Sequence, residues 1–253
     1  MTDKIEIIEH DSWAYNLPKT RTAGKITIGD IPGVLPFSGV RNPLTTSSTS
    51  QSVALTYRTA ANNFVPKVGA AESLAEAAVA HEALSSGRFY DVEFQPVRFP
   101  YEHPDGGMHW HTIDFRFTLP NGLMCFGFVR NATSLLKPQT IAEITAIRQA
   151  APRAEAHKFI VIDADGYNRA RRDNLRRMHH FACFEPDPSA DALVEAAAYD
   201  LKTLWRVSDL FNVVDLPNGT IMKSCLRLIA RGALKANMNA VIGAQSRIWS
   251  AAK

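Results

Sequence analysis

The sequence predicts an α/β fold: a mixed sheet flanked by helices, followed by a small α+β unit. Three observations predict it. Runs with strand-type alternation, Tyr90-Val92-Phe94, Val97-Phe99-Tyr101, Ile113-Phe115-Phe117 and Met124-Phe126-Phe128, lie between segments with helical spacing. The last two runs flank Asn121-Gly122, a dipeptide favoured in tight hairpin turns. Beyond Pro186-Asp187-Pro188 the pattern changes to helix, turn, helix and two short strand-like pieces.

Ala71 to Leu84 combines strong helix formers with apolar positions three and four apart, and Ser85-Ser86-Gly87 ends the run. After the alternating strands come a helix from about Thr140 to Ala150, the apolar strand Phe159-Ile160-Val161-Ile162, and a basic helical stretch to about His180. Past the Pro-Asp-Pro break, Ser189 to Trp205 reads as a helix with Ser189 available as its cap, and Val207 to Val214 as a shorter helical unit. Thr220 is the expected cap of a helix that runs through Arg231 and stops at Gly232. Strand-like pieces around residues 233–236 and 246–249 complete the order of a winged helix-turn-helix. Residues 1–68 are rich in Thr, Ser, Pro and Asn and read either as a partly ordered extension or as a strand or two packed on the main domain. The expected division is therefore residues 1–68, 69–185 and 189–253.

Composition narrows the function classes. A chain of 253 residues, 46% of them hydrophobic and 21% charged, has the makeup of a globular protein with one large core or two modest ones. No apolar run approaches the roughly 20 residues that cross a bilayer, and the N-terminus, with Asp3, Glu6 and Glu9, lacks a secretory pattern. A cytoplasmic protein without membrane association is expected. Cys125, Cys183 and Cys225 are odd in number, widely spaced and set among apolar neighbours, which suggests reduced, packed thiols. A net charge of +3 is too small to identify a polyanionic partner, so the distribution of charge carries the information.

The chain from about Ala70 onward resembles the TnsA family, the endonuclease subunits of certain heteromeric transposases. The resemblance rests on Glu76 in the first helix, Gln95-Pro96 at a strand, Asp114 within Ile113-Asp114-Phe115, and Phe128-Val129-Arg130 at the end of the hairpin. It implies a restriction-endonuclease-like domain followed by a winged-helix-like domain. It also implies that Glu76, Asp114 and Arg130 occupy catalytic positions, with Asp114 and Glu76 as Mg²⁺ ligands if the protein is active. The departures fall where the chemistry lies. Hydrolysis assisted by Mg²⁺ needs oxygen ligands in near-octahedral geometry, and Phe128 supplies none where the family has its second metal-binding side chain. Arginine in place of lysine keeps a positive charge but holds its proton too tightly for proton transfer. Other ligands would then be needed, and Glu93, Glu102, Asp105 and the pair His109 and His111 are near in sequence.

Two basic constellations point to phosphate. Arg169, Arg172 and Arg176 share one face of a helix, with Arg171, Arg177 and His180 beside them and few matching acids. In the C-terminal helix, Met222, Cys225, Leu226 and Ile229 suit an inner face, while Lys223, Ser224, Arg227 and Arg231 suit a face presented to DNA. Lys235 and Arg247 would lie on the wing. The sequence thus predicts a protein that binds double-stranded DNA without cutting it and needs no cofactor, acting at a specific site in regulation or assembly of a DNA-processing complex. A homodimer is expected, because such sites are often two-fold symmetric, and a transposase or recombinase subunit is an expected partner. The rival expectations are an active Mg²⁺-dependent endonuclease and a protein-interaction module without DNA affinity.

Overall fold

A computed structural model describes residues 24–46, 51–201 and 203–251. Residues 1–23 and residues 47–50 of the Ser/Thr-rich run, both within the predicted extension, lie outside the described residues. The rest of that extension is built into the molecule. Val53–Tyr57 (β1) pairs antiparallel with Lys67–Ala71 (β2), and Tyr57 is buried in the main core. Upstream, the Leu35 N–H donates to Pro66 O at 2.7 Å and the Val40 N–H to Gln95 O at 2.9 Å. Within the described part of residues 1–68, the strand Val53–Tyr57 packs on the main domain, while residues 24–46 run along it with isolated bridges.

Leu74–Ser85 (α1) starts at Ser73, whose side chain accepts from the Glu76 N–H at 3.1 Å and so satisfies one of the helix's orphan donors. Asp91–Phe94 (β3) follows, and the chain then leaves the main sheet as a separate hairpin, Arg98–Glu102 (β4) and Met108–Thr112 (β5). It returns as Phe115–Thr118 (β6) and Met124–Arg130 (β7). A single turn, Ala132–Leu135 (α2), and the longer helix Pro138–Ala150 (α3) lead to Lys158–Asp163 (β8). The main sheet has the order β3-β6-β7-β8, antiparallel through β7 with β8 parallel to it.

The sheet is apolar on both faces. On one side Val92, Phe115, Phe117 and Val129 meet Val79 and Ala80 of α1. On the other, Phe126 and Phe128 pack with Phe99, Tyr101 and Ile113 of the hairpin region and with Ile147 of α3. Strand alternation explains the division, because successive residues of β7 point to opposite faces. Gly127 is required where β7 passes β6, since a Cβ there would lie 2.6 Å from the Phe117 ring.

Arg169–Phe184 (α4) packs behind α1 and carries the C-terminal unit. That unit comprises Pro188–Asp200 (α5), a 3₁₀ turn at Val207–Asn212, Asn218–Arg231 (α6), and the short antiparallel strands Leu234–Ala236 (β9) and Ile248–Ser250 (β10). It has its own core of Val194, Leu210, Ile221, Leu228, Leu234 and Ile248. A second seam of Ala78, Leu175, Met178, Leu226 and Ile242 joins it to α1 and α4. Asn174 reinforces this seam by donating to Ala240 O at 2.8 Å and accepting from the Ile242 N–H at 2.9 Å.

Three boundaries differ from the sequence reading. The α5 helix is capped by Asp187, which accepts from the Ala190 N–H at 3.0 Å, because Pro188 fits the first helical position, where no N–H is needed. Ser189 is therefore inside the helix, which ends at Asp200 rather than near Trp205. Likewise α6 begins at Asn218, two residues before Thr220, without a side-chain cap. Gly232 ends it in the left-handed region at φ 81°, as expected for a helix-terminating glycine. Among the described residues no helix is long and apolar enough to cross a membrane, and all three cysteines are free thiols.

Candidate functional site

The candidate site forms at the neck where the β4–β5 hairpin leaves the main sheet. Gln95 turns the chain out of β3 in the left-handed region at φ 49°, and its N–H donates to Asp114 O at 3.0 Å as the chain returns. The Asp114 carboxylate is 5% exposed and accepts from the Val129 N–H on β7 at 2.8 Å. Glu76, one turn into α1, accepts from the Glu72 N–H at 2.8 Å and from the Ser73 hydroxyl at 3.2 Å. With Ser73 as cap, the Glu76 side chain reaches back to the N–H of Glu72, one residue before the cap, which gives a carboxylate at this position a structural role.

The two sequence-predicted carboxylates are brought together electrostatically. Burial pushes the Glu76 carboxyl up to about 8, and the negative charge of Asp114 adds to the shift. Burial also raises Asp114, to about 6, against the opposing effects of the Val129 N–H and Arg130. Both groups hold protons more tightly folded than unfolded. Their stabilising contribution is full below the unfolded pKa near 4 and is lost as pH rises through the folded values. Glu76→Gln is accordingly expected to leave stability nearly unchanged at about pH 4 and to raise it by about 2 kcal/mol at about pH 8, or roughly 4–8 °C in Tm. Thermal unfolding at the two pH values reads the difference directly.

A cation that sequence reading did not select completes the neck. Arg41 donates from Nε to Gln95 Oε1 at 3.1 Å, and its Nη2 pairs with Glu72. It reaches this position because the chain passes the end of β3 very closely at Gly39, where a Cβ would lie 2.6 Å from Phe94 O. Neither Arg41 nor Glu72 carried a signal in the sequence. Arg41 lies 35 residues before Glu76, in a segment without helical or strand periodicity.

Phe128 and Arg130 have clear structural places. The Phe128 ring is 1% exposed, within the cluster of Phe99, Ile113, Phe126 and Ile147. The Arg130 guanidinium lies 4.1 Å over that ring, with Nη1 donating to Val129 O at 3.2 Å. His111 is also drawn into this cluster, 4.9 Å from Phe128 ring to ring, and burial together with Arg130 and Arg41 lowers it to about 4. His109 does not share that environment. It sits at the exposed hairpin tip with His103 and Asp105, which form the one grouping of three metal-type side chains with ligand atoms within 4.8 Å among the described residues. Asp114 and Glu76 belong to no such grouping among the described residues. Of the other acids named from sequence, Glu93 is paired with Arg116, with 2.8 Å between Glu93 Oε1 and Arg116 Nη2.

The basic constellation on α4 divides into two sets. Arg171 pairs with Glu82 at 2.7 Å and lies over the Tyr167 ring, and Arg177 donates to Ile242 O at 2.8 Å. These two hold the fold together. Arg169 and Arg176 are exposed and Arg172 is half-buried, and Arg176 makes only a 3.2 Å contact with its helical neighbour Asp173. Arg172 borders two depressions. One, of 440 Å³, is also lined by Glu76, Val129, Arg130 and Asn131. The other, of 330 Å³, runs along α1 and α4 past Arg169, Arg176, Leu74 and His81.

Of the four side chains expected on the outer face of α6, two are turned inward and two, Lys223 and Arg231, stay partly exposed in ion pairs. Ser224 is fully buried, and Arg227 is 2% exposed, 2.7 Å from Asp191. Arg231 also pairs with Asp191, and Lys223 with Glu185. The physical reason is that the start of α5 and the chain leading into it close over α6 at Arg227, which meets Asp191 and Glu185 O, while Lys223 and Arg231 lie at the margin of that contact. Lys235 and Arg247 are exposed, as expected for the wing, with the Arg247 guanidinium 4.3 Å over the Trp205 ring. No protein-family model matches the chain, and a search of curated proteins gives no match.

Proposed function

We propose that this protein binds duplex DNA on a TnsA-like, restriction-endonuclease-like core whose former catalytic positions now serve structure. The observation that carries the reading is Arg172, which borders both the carboxylate depression and the groove leading to Arg169 and Arg176. A guanidinium row on one helix face suits successive phosphates, and the row continues from the place where a nuclease would hold the backbone. The order of one helix, three antiparallel strands, a helix and a parallel strand supports the nuclease-like assignment of the core. The C-terminal order of helix, 3₁₀ turn, helix and paired short strands, with Arg206 bridging Arg247 beside β10, supports a winged-helix-like unit. In that unit Lys235 and Arg247 are the cations available to DNA, whereas Ser224 and Arg227 hold α6 in place.

Binding without cutting follows from the neck. Phe128 fills with hydrocarbon the position that would need an oxygen ligand, and Arg41 sets a fixed cation between Glu72 and Gln95. Fluorescence anisotropy with labelled duplex DNA tests the reading: micromolar binding at about 50 mM salt is expected, weakening steeply as salt rises. Undetectable binding at that salt would favour a protein-interaction module instead.

A second reading, a Mg²⁺-dependent endonuclease, is favoured by one observation, the electrostatic coupling of Glu76, which lines the depression beside Arg130, to the buried Asp114 behind it. In that case Glu76 and Asp114 would hold the ion, which would polarise the scissile phosphate, while Arg130 would bind the phosphate charge. Supercoiled plasmid incubated with Mg²⁺ or Mn²⁺ separates the two readings. Cleavage that Asp114→Ala abolishes would establish the nuclease, and intact plasmid is the result expected here.

A further inference from the structure

We propose that the tip of the β4–β5 hairpin is a binding site for a divalent transition-metal ion of the zinc class, held by His103, Asp105 and His109 with a coordination position open to solvent. The site is remote in role from the carboxylate neck and does not depend on the DNA-binding reading.

Geometry carries the inference. The His103 Nδ1 lies 3.0 Å from Asp105 Oδ2, and the His109 Nε2 lies 3.7 Å from the same oxygen. All three ligand atoms fall within 4.8 Å of one another. Tetrahedral zinc bonded at about 2.0–2.1 Å separates its ligand atoms by about 3.3 Å, so the two measured edges bracket the required one. Two imidazoles and a carboxylate are also a donor set that zinc uses in open sites, where water or an outside donor takes the fourth position.

The supporting groups fix these donors in place. The Gly107 N–H donates to Asp105 Oδ1 at 2.8 Å, which leaves Oδ2 turned toward the histidines. The five-residue loop is closed by the His103 N–H to Gly107 O and the Gly106 N–H to His103 O, both at 2.8 Å, with Gly106 at φ 88°. Tyr101 lies edge-on to both imidazoles, 6.2 Å from His103 and 6.0 Å from His109, and its hydroxyl is anchored to Glu143 at 2.7 Å. These ring contacts limit the positions open to the two imidazoles.

The two imidazole rings stack nearly parallel, 4.4 Å apart at 10°. Nearly parallel rings do not aim their in-plane lone pairs at one point, and the His103 Nδ1 accepts from the Asp105 N–H at 3.2 Å, so binding an ion would turn at least one ring out of the stack toward the carboxylate.

Chelator-stripped full-length protein titrated with Zn²⁺ in a calorimeter, and with Co²⁺ followed by visible absorption, tests the proposal. One ion per chain is expected at micromolar concentrations of metal, and His103→Ala, Asp105→Asn and His109→Ala are each expected to weaken binding at least about tenfold. His180→Ala, on a different surface, is expected to leave affinity unchanged. Asp105 is 57% exposed and His109 47%, so the variants are expected to unfold at the wild-type temperature without metal, which keeps loss of binding separate from loss of fold. Imidazole nitrogen resonances of His103 and His109 should shift on adding Zn²⁺ to the wild type. Binding that survives in the triple variant, resonances that do not move, or no binding by the wild type would each overturn the proposal.

Discussion

Replacing Asp191 with alanine is expected to destabilise the protein by about 3–5 kcal/mol, among the largest effects of any single substitution in the C-terminal unit. Asp191 is 4% exposed and receives Arg227 through Nε at 2.9 Å and Nη2 at 2.7 Å. Arg227 also donates to Glu185 O at 3.0 Å and to the Ser224 hydroxyl at 2.8 Å, so the guanidinium is fixed and cannot swing to water when its partner is lost. The cost is the uncompensated buried cation rather than the missing attraction. Replacing both members with apolar residues, Asp191→Leu with Arg227→Met, is therefore expected to recover most of the loss. Urea unfolding of the two variants makes the comparison, and a single-variant loss below about 1 kcal/mol would contradict the account. The pH dependence has a definite sign. Burial acts to raise Asp191, but hydrogen bonds from Arg227, Arg231 and Ser224 outweigh it and hold the carboxyl below its ordinary value. Its contribution is present above the unfolded pKa near 4 and disappears as pH falls through the lower folded value.

Phe128→Ala is expected to cost about 3–5 kcal/mol as well. The ring is 1% exposed, bordered by Phe99, Ile113, Phe126 and Ile147, and it supports both the His111 ring and the Arg130 guanidinium. Truncation removes the hydrocarbon that joins the β4–β5 hairpin to α3 and leaves a cavity that these surroundings can fill only in part. Phe128→Leu, which keeps most of the volume, is expected to lose much less, and the contrast is measured in the same unfolding experiment. A loss for Phe128→Ala within about 0.5 kcal/mol of zero would mean that the position is not a core position, and the reading of the neck as structural would fail with it.

These two sites also show what the sequence could and could not convey. The core strands were legible because alternation in β6 and β7 and the Asn121-Gly122 turn are local signals, and the structure has them within a few residues of their expected limits. Glu76 and Asp114 were legible as a pair through the motifs around them. The role of Arg41 was not, because it depends on a chain segment crossing the end of β3, and no local pattern encodes that crossing. The face of α6 was misread for a related reason. Helical spacing separates Lys223, Ser224, Arg227 and Arg231 from the apolar stripe, but it does not tell that α5 meets the polar side or that its Asp191 takes Arg227 there. The same ambiguity divided the arginines of α4. Arg171 and Arg177 find Glu82 and Ile242 O, while Arg169 and Arg176 are exposed and the half-buried Arg172 lies between them along the groove.

The hairpin tip illustrates the reverse case, in which sequence proximity misdirects. His109 and His111 alternate correctly on β5, yet one lies at the solvent-exposed tip with His103 and Asp105 and the other is buried beside Phe128. Strand period alone gives both the same face. Depth along the hairpin gives them different environments.

The central claim is that this protein holds duplex DNA through the exposed arginine face of α4. The most direct measurement is the salt dependence of duplex binding for the wild type and for Arg169→Gln/Arg172→Gln/Arg176→Gln. Each phosphate contact contributes about 0.9 to the slope of log affinity against log salt, so loss of all three is expected to reduce the slope by nearly 3, with weaker binding on every duplex sequence. An unchanged slope in a folded triple variant would contradict the account.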